Sequence, residues 1–126
     1  MTNTDMHKNQ IECLYPILVV KDLQASLTYY RQTLGFKEDW STETLAQVSR
    51  DSFGIMLNQS AAVHPQEIWI GVELLEPFYE EYTERGAIIA QEPTNHPWAY
   101  DMKIQDPDGH ILWFGAGPKA DEPFSE

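Results

Sequence analysis

The chain has one cysteine, Cys13, so no internal disulfide can form. With no histidine beside it in a recognisable motif, Cys13 reads as a small buried hydrophobe rather than a nucleophile. No apolar run approaches the roughly 20 residues that a membrane helix needs. The opening stretch MTNTDMHKNQ lacks the apolar core of a secretion signal, so the expected location is cytoplasmic and no membrane is expected as a partner. Cations are scarce: eight Lys and Arg against twenty Asp and Glu leave a net charge of −12. Nucleic acid is therefore not expected as a partner, because phosphate contact needs clustered Lys and Arg. A cationic ligand would be attracted instead. The four histidines, His7, His64, His96 and His110, show no H-x-H or H-E-x-x-H spacing. His64 and His96 each precede a proline, which places both in loops.

What is present is enough for one domain: 126 residues, 42% of them hydrophobic, can bury a single core. Residues 1–10 and 117–126 read as tails. Between them a pattern occurs twice, over 11–60 and 61–116. An apolar strand, Leu14 to Val20, leads to Asp22, a good helix N-cap. Leu23, Leu27, Tyr30 and Leu34 then recur at helical spacing, and Gly35 ends the helix. In the second half Ile68 to Val72 is the strand, Pro77 suits the first helical turn, and Leu75, Tyr79 and Tyr82 form the buried stripe before Gly86. Three short strands follow each helix, roughly 36–41, 44–50 and 53–59, then 87–91, 99–105 and 110–115. The expected fold is α+β: two βαβββ modules with concave mixed sheets and helices on the outer face. Glu76, Glu80, Glu81 and Glu84 read as a solvated helix face, and Arg50 beside Asp51 as a local ion pair worth little.

Strict alternation along the strands places two tryptophans opposite the aliphatic core. In EIWIGV, Ile68, Ile70 and Val72 form one set, and Glu67, Trp69 and Gly71 the other. In HILWFG, Leu112 and Phe114 oppose Ile111 and Trp113. A flat or cationic molecule suits the set with Trp and Glu, although a second core layer or a dimer contact would use the same residues. Asp106-Pro107-Asp108-Gly109 reads as a three-residue hairpin loop pairing Asp106 with His110. That register puts Met102 and Ile104 beside Leu112 and Phe114, and Asp101, Lys103 and Gln105 on the face of Ile111 and Trp113. A four-residue loop would bury the Lys103 ammonium, which is costly.

The run YPILVVKD from Tyr15, the helix ending TLGF at Phe36, and the DPDG hairpin from Asp106 together resemble the glyoxalase/bleomycin-resistance/extradiol-dioxygenase superfamily over about residues 11–116. The resemblance implies concave clefts near the interface of a homodimer. It also carries the family's four metal-ligand positions onto Tyr15, Met56, Glu67 and Trp113. Those side chains do not make a divalent site, which needs several imidazoles or carboxylates, so no cofactor is expected. The chain most resembles the bleomycin-resistance branch, in the segments Trp40 to Asp51, Trp69 to Val72 and His96 to Asp101, and in the final hairpin. That implies binding and sequestration of an amphipathic, cationic small molecule such as a bleomycin-like antibiotic, without catalysis. The expected ligand-binding residues are Trp40, Met56, Asn58, Glu67, Trp69, Trp98, Asp101, Ile111 and Trp113. Trp rings would stack on the flat tail; Glu43, Asp51, Glu67 and Asp101 would meet the positive groups. Two other readings stay open: a glyoxalase-type metal-dependent lyase or related dioxygenase-fold enzyme with a degenerate metal site, and an interaction module whose aromatic face makes the dimer.

Overall fold

Ile17–Val20 form the first strand, β1, three residues shorter at its start than the apolar run from Leu14 suggests. Pro16 has no N–H to give a ladder, which limits how far the strand can extend toward the N-terminus. Leu14 is consequently exposed, and so is Cys13, which corrects its reading as a buried hydrophobe. The computed structural model describes residues 9–125. His7 lies outside them.

Asp22 caps helix α1 (Leu23–Thr28) by accepting from the Ala25 N–H at 3.1 Å. The helix widens into a π-helical turn over Tyr29–Thr33, where the Leu34 N–H bonds to the Tyr29 carbonyl at 3.0 Å. Gly35, at φ +77°, then turns the chain into β2 (Lys37–Ser41). β3 (Leu45–Arg50) and β4 (Phe53–Gln59) complete the first module. The second runs β5 (Glu67–Gly71), α2 (Glu76–Glu84), β6 (Ile88–Asn95), β7 (Tyr100–Gln105) and β8 (Ile111–Ala116). The sheet orders are β1-β4-β3-β2 and β5-β8-β7-β6, with β1 parallel to β4 and β5 parallel to β8. Each sheet is therefore mixed, as the doubled βαβββ pattern requires.

The aliphatic sets do face the helices. Leu18, Val20, Val48, Leu57, Met102, Ile104, Leu112 and Phe114 join Leu23, Leu27, Tyr30, Leu75 and Tyr82 in one core shared by both modules. The hairpin register is as expected: the Asp106 N–H bonds to the His110 carbonyl at 2.9 Å, and Met102 pairs with Phe114 and Lys103 with Trp113.

Buried polar groups tie the modules together. His110, fully buried, accepts the Gln66 N–H at Nδ1 (3.0 Å) and meets the Val19 carbonyl at Nε2 (2.6 Å). Tyr30 donates to Asp106 at 2.9 Å across the same junction. Arg50 does not pair with Asp51, which sits in a turn at φ 56°. It reaches instead to Glu81 on α2, with Nη1 and Nη2 donating at 2.8 and 2.7 Å, and its Nη1 also bonds the Leu34 carbonyl at 2.9 Å. Glu81 and Glu76, which pairs with Lys119, are thus not part of a merely solvated face. The Arg50 guanidinium holds the Glu81 carboxyl below its ordinary range.

Candidate ligand-binding face

β5 and β8 set the site by alternation. Trp69 and Trp113 are directly opposite each other on the face turned away from the helices, with ring centroids 5.2 Å apart and planes at 77°. Trp98, from the loop between β6 and β7, meets Trp113 at 6.0 Å and 86°. Edge-to-face contact sets the positive rim of one ring against the negative face of the next. Trp69 is 52% exposed and Trp98 58%, while Trp113 is half-buried between them. The Trp69 ring lies over Gly115: a β-carbon there would stand 2.0 Å from its Cη2.

Trp113 is locked by its polar edge. Its Nε1 donates to Asp101 Oδ2 at 2.7 Å. The other oxygen of Asp101 accepts from Gln91 Nε2 at 2.9 Å and faces His96 Nε2 at 3.1 Å. His96 in turn stacks on Trp98, 4.6 Å between centroids and 5° between planes. Asp101 is 1% exposed, and both its oxygens are engaged. It positions the aromatic rings and has no free oxygen for a ligand cation, which corrects the role expected for it. Lys103, across the hairpin from Trp113, lays its Nζ 4.6 Å from the centre of that indole.

The expected residues fall into two groups. Glu67, Trp69, Trp98, Asp101, Ile111 and Trp113 belong to the second sheet or its loop and share the open face. Trp40, Met56 and Asn58 stand on the first sheet, in β2 and β4, so one chain builds its indole cluster from one sheet alone. Glu43 and Asp51 lie at turns of the first module. Gln91, His96 and Lys103 were not among the expected site residues. The hairpin register already put Lys103 beside Trp113, whereas the pairing of His96 with Asp101 depends on a loop whose path no spacing rule supplies.

A cleft of about 1030 Å³ opens beside Trp69, between β5, residues 12–16 and the β3–β4 turn. Its walls are chiefly apolar, with Leu14, Phe53, Ile68, Ile70, Phe78 and Phe114 among them. Of the nine expected ligand residues only Trp69 lines it. The indole face is therefore a surface next to this cleft, with Trp69 common to both.

The family model for the Glyoxalase/Bleomycin resistance protein/Dioxygenase superfamily matches residues 9–114. The chain belongs to this superfamily. Among solved structures of the same fold, a glyoxalase/bleomycin resistance protein/dioxygenase from Nocardioides aligns at 17% identity over 98% of this chain and 97% of its own, with a TM-score of 0.72. The bleomycin-binding protein from bleomycin-producing Streptomyces verticillus, complexed with copper(II)-bleomycin, aligns at 20% identity over 86% and 99%, with a TM-score of 0.65. An integron cassette protein from the mobile metagenome of a Halifax Harbour sewage outfall aligns at 24% over 84% and 99%, with a TM-score of 0.73. No curated protein matches the chain. No helix among the described residues is long and apolar enough to cross a membrane.

The superfamily's metal positions can be tested on the donor atoms. Tyr15 packs its ring on Gly54, where a β-carbon would meet Cε1 at 2.7 Å. The Trp113 nitrogen is a donor already given to Asp101, and Met56 offers a thioether. Glu67 is the one carboxylate of the four. Among the described residues, no three His, Cys, Asp or Glu side chains converge on a point. This donor set does not fit a divalent ion.

Proposed function

We propose that this protein binds and sequesters a flat, amphipathic small molecule on the indole face of its second sheet, as a non-enzymatic member of the superfamily. The observation that carries the reading is the three-tryptophan cluster, held open at Trp69 and Trp98 and braced from behind by Asp101. Structural rings of this size belong under a helix. Here two of them stay half in water, while the aliphatic set takes the core. The bleomycin-binding structural neighbour lends support to a small-molecule ligand.

The reading includes a homodimer, because the exposed face alone is a weak trap. Covering half of two indoles removes on the order of 200 Å² from water, worth about 5 kcal/mol at ~25 cal/mol per Å². Association costs roughly 4–15 kcal/mol. A second copy closing over the face or the adjoining cleft would supply the missing enclosure.

Calorimetric titration with bleomycin and with neutral quinoxaline, alongside tryptophan emission and sedimentation, tests the proposal. Saturable binding of at least one planar probe with altered emission is expected, weakened by Trp98→Ala and Trp69→Ala. Folded protein showing neither heat nor change of emission with both probes would overturn it.

A further inference from the structure

The indole cluster has a cation of its own. Lys103 extends from β7 over the Trp113 ring, with Nζ 4.6 Å from the centroid. The other cations lying over aromatic rings are each held by a carboxylate as well: Arg50 by Glu81, and Lys119 by Glu76 and Glu122. Lys103 differs from them, since no ion pair or hydrogen bond to another described residue engages its Nζ. The nearest carboxylate in the ladder belongs to Asp101, which lies buried with both oxygens engaged by Trp113, Gln91 and His96.

We infer that Lys103 is a specificity-determining residue and that the indole face takes a planar aromatic acid, a carboxylate or phenolate whose ring lies against Trp98 and Trp69 while its anionic group meets Nζ. The inference rests on the proposed reading of this face as a ligand site. A cationic ligand would compete with Lys103 for the face of Trp113 and be repelled by it. An acid would complete the pairing that this lysine lacks.

The overall charge of −12 does not reverse this preference. Glu76, Glu80, Glu81 and Glu84 lie on α2, which covers the opposite face of the sheet. Glu67 shares the open face, but its Cα is two strands and two residues from that of Lys103, roughly 12 Å by strand spacing. Over a distance of about one Debye length, roughly 10 Å at 0.1 M salt, its field is weakened by screening. Close contact with one ammonium therefore outweighs the distant acids at ordinary ionic strength.

Three probes of one shape read the sign: naphthoate, the neutral naphthamide and naphthylmethylammonium. Each is titrated into the isotope-labelled full chain by calorimetry, with the indole N–H signals of Trp69, Trp98 and Trp113 followed by NMR. Naphthoate is expected to bind at least about tenfold more tightly than naphthamide, as one charge-assisted contact supplies, and the ammonium more weakly than either. Lys103→Met keeps the stem and should bring the ratio of naphthoate to naphthamide affinity down to about one. Lys103→Glu should invert the order. If the ammonium binds more tightly than the acid, or Lys103→Met leaves the acid's advantage intact, the inference falls while the face stands as a binding site. If none of the three moves the indole signals, the ligand reading of the face falls with it.

Discussion

Trp113 donates its indole proton to Asp101 across the β7–β8 hairpin, at 2.7 Å, from a half-buried ring to a fully buried carboxylate. That bond fixes the ring around which Trp69, Trp98 and Lys103 are arranged. Replacing the carboxylate should loosen all of them. Asp101→Ala leaves the donors of Trp113 and Gln91 without their acceptor, at a cost of about 1–3 kcal/mol for each buried group so stranded. Urea unfolding should show this loss, and the emission of the folded variant should shift. Stability within ~0.5 kcal/mol of the parent, the range of an ordinary surface change, would mean the bond does not hold the ring.

Gly115 provides the floor beneath Trp69. With a β-carbon 2.0 Å from Cη2, Gly115→Ala forces the indole off the sheet. Trp69 is half exposed and can swing into solvent, so the expected stability cost stays below the roughly 1–3 kcal/mol of core overpacking. Near-UV circular dichroism should lose the contribution of the Trp69–Trp113 pair, and probe binding should weaken. Unaltered binding would show that Trp69 takes no part in the site.

The Arg50–Glu81 pair predicts a pH dependence of stability. Arg50 lowers the Glu81 carboxyl below its unfolded value, so the folded state favours the ionised form. The contribution is complete above the unfolded value, about pH 4.3, and is lost as pH falls through the lowered folded one. Glu81→Gln should therefore destabilise by about 1–2 kcal/mol at pH 7, below the full charged-bond value because both side chains are about one-quarter exposed. The gap between variant and parent should narrow below pH ~4. A gap that stays constant down to acid unfolding would show that this pair does not contribute through its charge.

His110 joins the strand of one module to the start of the next through two backbone groups. His110→Ala strands the Gln66 N–H and the Val19 carbonyl and opens a cavity. We expect a loss of about 2–5 kcal/mol, read as a lower urea midpoint with one cooperative transition. Separate unfolding of the two halves would show that the ring is their principal link.

Much of this was legible along the chain because it is local. Gly35 and Gly86 end helices at φ +77° and +79°, as their position after apolar stripes implies. Alternation along β5 and β8 placed Trp69 and Trp113 on one face, and the DPDG turn set the register that brings Asp101 and Lys103 there. The partners of these groups were hidden. Asp101 looked like a ligand for a cation, because nothing in its neighbourhood along the sequence reveals Gln91 and His96 converging on it. Arg50 looked paired to its neighbour, yet its acid comes from a helix 31 residues on.

Periodicity, caps and turn chemistry, acting over a few residues, were sufficient to determine the doubled βαβββ fold and which side chains face the helices. Only the tertiary structure decided that Trp98, from the β6–β7 loop, joins Trp69 and Trp113 in one cluster. It alone showed that both oxygens of the carboxylate beneath Trp113 are engaged and that the cation above the ring is Lys103. The physical reason is that a side chain's face follows from its own strand, whereas its partner depends on how separate strands, loops and helices meet in space.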